Sequence, residues 1–409
     1  MPSTLATLPG IFASRSFRQY YAGQALSLIG DGLRTLAVPL LVYKLTGSAL
    51  STSVSYVCEL TPFALFGLLG GSLADRVDRR ALMIGSDAVR CAIMSLFALL
   101  YARHELSIPM IYVGLVLLSI CAALFMGGQS SSIPFLLGRE RGTQAIAALN
   151  AAESTSNLIT PIVGAAAFNI FGPLPALIVN AATYLLSQFS LARIPTLGPE
   201  RSSGIPSLRH IGDDVRLGFR ILFADRALRS LTLASLVLNA IGFGGYSIII
   251  PFLKTGFAAT DVQVGIFLTI SAVGAICGSL FAGRFASRWP FGRALCVALT
   301  LDSVLFLPVI LARNIWVAGV FWAIANACAN FEVAQIVGFR LRIISEEMVG
   351  RVFGAVRLLV LCGIPPGALL FGYFADHYSA RFAMTVSAFS YLAIALAAVA
   401  NPAIREERR

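Results

Sequence analysis

Charge is what this chain has least of. Of its 409 residues only 12% are Asp, Glu, Lys or Arg, about half the share usual in a soluble domain. Lysine occurs only at Lys44 and Lys254, and histidine only at His104, His210 and His377. Without lysine there is no Gly-x-x-x-x-Gly-Lys loop to cradle phosphates, which removes ATP as the energy source within this chain. The histidines are dispersed among loops, too scattered to gather a metal ion. The cysteines (Cys58, Cys91, Cys121, Cys277, Cys296, Cys328 and Cys362) all fall in apolar runs, and none forms a Cys-x-x-Cys pair. They read as small hydrophobes rather than disulfides or ligands. No nucleophile stands at a useful spacing from a base, so the chain reads as no enzyme and as needing no cofactor. The first apolar run is interrupted by Asp31 and Arg34, unlike the core of a cleavable signal.

What the chain has is apolar length. It is 57% hydrophobic with a mean hydropathy of +0.81. A spanning helix needs roughly 20 apolar residues, so the chain holds about a dozen spans, with no room for a soluble domain. The reading is an all-α membrane protein. A net charge of +11 and a pI near 9.7 could suggest nucleic acid, but position argues otherwise. On the span assignment, Lys44, Arg103, Lys254, Arg313 and Arg381 lie outside, Arg34 and Arg357 lie within spans, and every other Lys and Arg is cytoplasmic. That asymmetry follows the positive-inside rule and needs no polyanion. Both termini are then cytoplasmic.

The organising stretch is Gly71-Ser72-Leu73-Ala74-Asp75-Arg76-Val77-Asp78-Arg79-Arg80, a short charged turn between apolar runs at about 50–69 and 81–100. Glycine lets neighbouring helices approach closely. Asp75, an acid among bases, calls for a partner; Asp87 and Arg90, one turn apart in the next span, can complete a cluster with Asp75, Arg79 and Arg80.

Other spans carry polar residues at helical spacing. In span 1 (about 20–42) Gln24, Ser27, Asp31 and Arg34 share one face. A polar stripe faces lipid only at high cost, so it should line a wet cavity; the alternative is an Asp31–Arg34 pair that neutralises itself and packs. Span 2 carries Glu59 and Pro62. Glu153, Asn157, Thr160 and Gly164 share a face of span 5, and Trp322, Asn326 and Asn330 recur every four residues in span 10. Each buried ionisable group costs roughly 2.5–3.5 kcal/mol on insertion scales, so each should be paired, hydrated or functional. Residues 193–227 form the one long hydrophilic stretch, a linker rich in proline whose second half has the alternation of an amphipathic segment lying in the membrane interface.

The second half echoes the first. Lys254-Thr255-Gly256 corresponds to Lys44-Leu45-Thr46-Gly47, and Gly278-Ser279-Leu280 to Gly71-Ser72-Leu73, at a lag of about 210 residues. The domains are accordingly 1–192 and 228–409, six spans each, joined by the linker.

The turn Gly-x-Leu-Ala-Asp-Arg-x-x-Arg-Arg resembles the signature loop of the major facilitator superfamily, departing from it at Asp78, where glycine is usual. The Leu-Thr-Gly-Ser end of span 1, Gly350-Arg351-Val352-Phe353 and the long linker resemble its enterobactin-exporter and macrolide-efflux branch. Thr160-Pro161-Ile162-Val163-Gly164 matches the exporters' Gly-Pro pattern in span 5 only in part. The resemblance implies twelve spans in two pseudo-symmetric six-helix bundles. It further implies a multi-pass exporter in a bacterial inner membrane, exchanging protons for a siderophore or drug-like compound by alternating access. It gives the loop as a cytoplasmic latch, with Gly71, Asp75, Arg76, Arg79, Arg80, Asp87, Arg90 and Arg351 as gate residues. It places a substrate cavity between the halves, lined by spans 1, 4, 7 and 10, with Gln24, Gln129, Asn239, Tyr246, Trp322, Asn326 and Asn330 as substrate candidates. Asp31, with Arg34 as its counter-charge, is the first choice for proton coupling, and Glu59 and Glu153 follow. Sodium remains open as the coupling ion. Asp302 and Glu332 read as structural, because span 9 of the family faces outward and Glu332 lies off the polar face of span 10. Two rival readings stand: an importer or facilitator on the same fold, and a non-transporting sensor or assembly partner. Neither involves nucleic acid.

Overall fold

The computed structural model describes residues 8–74, 77–198, 208–285, 289–345 and 347–400. Every regular element among them is a helix: α1 (Leu8–Ile11), α2 (Arg15–Thr46), α3 (Ala49–Ala74), α4 (Arg79–Ala102), α5 (Ile108–Leu137), α6 (Arg139–Phe171), α7 (Leu174–Ala192), α8 (Leu208–Ala224), α9 (Arg226–Ser247), α10 (Ile249–Phe257), α11 (Asp261–Phe285), α12 (Phe291–Leu311), α13 (Ile315–Ile343), α14 (Val349–Leu361), α15 (Ile364–His377) and α16 (Ala380–Ala400). By length and composition 10 helices can cross a membrane, with Val349–His377 counted as one. With α3 and α6, of 26 and 33 residues, there are twelve spans, six in each half. This is the expected fold.

Two spans expected to be continuous are broken. The seventh divides at Ile248 into α9 and α10. The eleventh divides at Cys362 and Gly363, ahead of Pro365 and Pro366. Proline lacks the amide for the i→i−4 ladder, and its fixed φ suits a first helical turn, so α15 starts there.

The chain divides into two compact units, Met1–Val38 with Cys58–Ile211, and Pro39–Val57 with Gly212–Arg409. In the first, α4 packs on α5 and α7, and α6 on α5 and α7. Its core gathers Phe17, Tyr20, Met83, Phe125, Ile133 and Leu191. In the second, α13 packs on α11 and α12, α9 on α14 and α15, and α16 on α12. The turn joining α2 to α3 belongs to this second unit, where Asp376 of α15 accepts from the Ala49 and Leu50 amides at 2.6 and 3.2 Å and from Ser48 Oγ at 2.6 Å.

The internal repeat extends to its closest contacts. In the first unit a Cβ on Gly127 of α5 would stand 2.2 Å from the Gly70 backbone of α3; in the second, one on Gly278 of α11 would stand 2.1 Å from the Ala327 carbonyl oxygen of α13. Spans 2 and 4, and their counterparts 8 and 10, thus meet backbone to backbone, the geometry small residues permit between membrane helices. Gly70 makes this contact, and makes it with α5; a Cβ on Gly71 would meet open space.

The amphipathic segment is helical as α8, and part of its apolar side packs on protein. Leu222 is fully buried in a cluster with Leu228, Val352 and Val356, flanked by Phe219 and Ile221. Gly218 lies so close to the Arg351 carbonyl that a Cβ would stand 2.3 Å away. α14 thus supplies apolar surface to one side of α8, while Phe223 stays exposed.

Candidate functional site

A cavity of about 290 Å³ in the first unit is lined by residues of α2 to α7, among them Asp31, Arg34, Glu59, Arg90, Glu153 and Tyr184. Helical spacing brings Asp31 and Arg34 to it together, one turn apart on α2. Their mutual contact is long: Arg34 Nε lies 3.8 Å from Asp31 Oδ1, while Arg34 Nη2 lies 2.8 Å from Glu59 Oε1 on α3. Arg90 of α4 approaches from the other side. Its Nη1 stands 3.8 Å from Asp31 Oδ2, its Nη2 is tightly paired with Asp87, and its guanidinium sits over the rings of Phe125 and Tyr184 at 4.7 and 4.5 Å. Tyr184 of α7 donates its hydroxyl to Asp31 Oδ1.

Each arginine therefore has a closer acid than Asp31. The side chains of Asp87 and Glu59 are 0% and 18% exposed, while that of Asp31 is 29% exposed. Asp31 is thus the most open carboxylate of the three and the one without a close arginine. Set against Arg34 and Arg90, the acids Asp31, Glu59 and Asp87 leave one uncompensated negative charge when all are ionised. Of these three acids Asp31 and Glu59 line the cavity.

Arg90 and Asp87, expected to cluster with Asp75, Arg79 and Arg80 at the turn, instead join Asp31 in the middle of the bundle. Arg90 is a third basic residue within a span, which corrects its assignment to a cytoplasmic segment. Arg79 donates to the carbonyls of Ala74 and Ser131 at 3.1 and 2.8 Å. Arg80 donates to those of Ala192 and Pro195. Asp75 and Arg76 lie outside the described residues. Asp78 accepts from the Arg80 amide at 3.0 Å and so caps α4, a use for the departure from the family's glycine. Arg351 lies in the first turn of α14, exposed, with Nη1 3.7 Å from Met348 Sδ.

The stripe on α2 divides. Gln24 is buried and donates to Ser187 Oγ at 3.2 Å, tying α2 to α7; Asp31 and Arg34 reach the cavity. The α6 stripe divides likewise, with Glu153 and Asn157 lining the cavity while Thr160 and Gly164 pack on Gly32 and Leu33 of α2. Gln129 of α5 is half-buried and outside the lining.

A second cavity, of about 600 Å³, lies in the second unit, and it brings together Asn239, Tyr246, Trp322, Asn326 and Asn330. The amide groups of Asn239, Asn326 and Asn330 each donate to the carbonyl four residues back at 2.9, 3.0 and 2.9 Å. Trp322 donates to Ser271 Oγ at 3.1 Å and packs its ring on Phe306 and Phe267. Asp302 and Glu332 line this cavity too, against their reading as structural. Residues from 322 to 337 of α13 contribute to the wall, so the cavity spans a wider arc of that helix than a four-residue stripe. Arg340, buried near the end of α13, belongs to the same lining and donates to Ser235 Oγ at 2.9 Å. Sequence spacing gave no signal for Tyr184, a tyrosine in an apolar run. The Asp87–Arg90 pair in mid-helix could have pointed inward. Among the described residues no group of His, Cys, Asp and Glu could hold a metal ion.

Over 401 residues the chain is 24% identical to macrolide efflux protein A of Streptococcus pyogenes, covering 96% of each. Over 311 residues it is 27% identical to the enterobactin exporter EntS of Shigella flexneri, covering 75% of this chain and 71% of the relative. Its fold matches that of a bacterial homologue of the human lysosomal transporter Spinster, solved inward-facing and unoccupied, with a TM-score of 0.76 at 15% identity over 98% of this chain and 99% of the other. The profile of the Major Facilitator Superfamily matches residues 20–361 and 232–408. The chain is a multi-pass membrane transporter and a member of the Major Facilitator Superfamily.

Proposed function

We propose that this protein is a secondary exporter that exchanges protons for an amphiphilic small molecule, a siderophore or drug-like compound, by alternating access. The membrane is a bacterial inner membrane, with both termini in the cytoplasm. The observation that carries the reading is the setting of Asp31. It lines a cavity, stands 3.8 Å from each of two arginines that have closer partners, and belongs to a cluster with one negative charge in excess. A proton on Asp31 balances the cluster; its departure restores the pull of Arg34 and Arg90 on the carboxylate. Glu59 holds Arg34, and Glu153 is a further acid lining the same cavity. The outward direction is supported by the efflux names of the relatives and by the chain-long similarity to the first of them.

In the second unit, amide and aromatic groups with few fixed charges suit a bulky amphiphile better than a small ion. Asn239, Tyr246, Trp322, Asn326 and Asn330 form the substrate wall. Gly71, Asp75, Arg76, Arg79 and Arg80 serve the cytoplasmic gate in the first unit and Arg351 in the second, while Asp87 and Arg90 stand with Asp31. The test uses inverted membrane vesicles energised with an imposed pH gradient or, separately, a sodium gradient. A macrolide and a catecholate siderophore are offered as substrates. Uptake driven by the pH gradient alone, abolished in Asp31→Asn, supports the reading. Uptake driven by sodium alone, or unchanged in the variant, contradicts it.

A further inference from the structure

The acids of the second cavity have no counterpart to the arginine pairing around Asp31. Asp302 on α12 is 1% exposed and Glu332 on α13 is 5% exposed, and both line the cavity. Among the described residues no donor reaches Asp302 Oδ1 or Glu332 Oε1, and neither acid has an ion pair. Each lies within electrostatic reach of the other. Cys328 of α13 and Tyr391 of α16 stand within reach of both. Arg340 is the basic group of the lining, and its guanidinium is engaged with Ser235 Oγ at 2.9 Å and the Leu231 carbonyl at 3.4 Å. Ionised together, Asp302, Glu332 and Arg340 leave one negative charge in excess at a largely apolar cavity.

The walls around that charge are aromatic. The Phe306 ring lies edge-on to Trp322 at 5.3 Å and stacks on Tyr391 at 5.5 Å, and Phe243 and Tyr246 complete the lining. Aromatic faces attract a desolvated cation, and a buried carboxylate without a partner gains most from a ligand that carries the missing positive charge. A volume of about 600 Å³ is that of a drug-sized ligand site.

We propose that this cavity binds a lipophilic organic monocation, with Asp302 and Glu332 taking the charged head and Trp322, Phe306 and Tyr391 the apolar body. The inference rests on the reading of this wall as the substrate's, and it narrows the substrate class to amphiphiles bearing one positive charge. An anionic amphiphile of the same size would place its charge beside two unpaired acids and is disfavoured.

Equilibrium binding to purified, detergent-solubilised full-length protein tests this without any ion gradient, so its outcome is separate from that of proton-driven export. The probe is radiolabelled tetraphenylphosphonium, with an uncharged tetraphenyl compound as the control. Wild type should bind the cation, and Asp302→Asn with Glu332→Gln should weaken it by about tenfold or more while changing the uncharged control by less than about twofold. Arg340→Gln should strengthen cation binding. If the double variant does not elute as monodisperse protein, the single variants are read in the same way. Absence of cation binding to wild type, cation binding that survives loss of both acids, or equal loss for charged and uncharged probes would overturn the proposal.

Discussion

Arg34 Nη2 stands 2.8 Å from Glu59 Oε1, closer than Arg34 comes to Asp31, the acid one turn before it on the same helix. The spacing of Asp31 and Arg34 suggests a self-contained pair. The structure instead gives Arg34 to α3 and leaves Asp31 between two arginines that each have another partner. The same relationship holds the helices together and leaves one acid available to the cavity.

Removal of Arg34 should therefore be worse than removal of the whole pair. Arg34→Ala leaves Glu59 partly buried and unpaired, at a cost of about 3–5 kcal/mol. Replacing both with methionine should recover most of the lost stability without restoring transport. Thermal unfolding of the detergent-solubilised variants measures the first, and vesicle uptake the second.

The glycine contacts should be intolerant of any side chain. Gly127→Val or Gly278→Val forces carbons into space about 2 Å from neighbouring backbone. Overpacking of this kind costs at least about 1–3 kcal/mol, and backbone on both sides has little freedom to move. The yield of monodisperse protein should fall sharply for both. Gly85→Ala on α4, where a Cβ meets nothing within 4 Å, should leave stability equal or raised by about 0.5–1 kcal/mol.

Asp376 satisfies the first amides of α3 from a distant part of the chain. Asp376→Ala should cost about 1 kcal/mol, the usual worth of an N-cap. Its signature is local: amide hydrogen exchange at Ala49 and Leu50 should rise while that of α13 stays unchanged. A uniform rise across the second unit would mean that Asp376 supports the whole unit rather than one helix end.

Much of the fold was legible because membrane burial writes itself into long apolar runs, and basic residues such as Arg79 and Arg80 mark the turns. Helical spacing also put Asp31 and Arg34 on a common face, and both line the first cavity. What spacing cannot give is the partner across the bundle. Arg90 and Tyr184 reach Asp31, and Glu59 takes Arg34, from three other helices, and only packing decides that Arg90 points inward rather than toward the turn. For the same reason Gln24, on the predicted polar face, is spent on Ser187, while Asp302 and Glu332, two acids read as structural, line a cavity. The breaks at Ile248 and Gly363 follow from local backbone geometry that mean hydropathy does not register.

The most direct test of the account follows proton movement in proteoliposomes loaded with a pH-sensitive dye, driven by an imposed substrate gradient. Wild type should move protons against the substrate. Asp31→Asn should move none, while still exchanging labelled for unlabelled substrate across the same membrane. Proton movement at the wild-type rate in Asp31→Asn would contradict the central role given to this carboxylate.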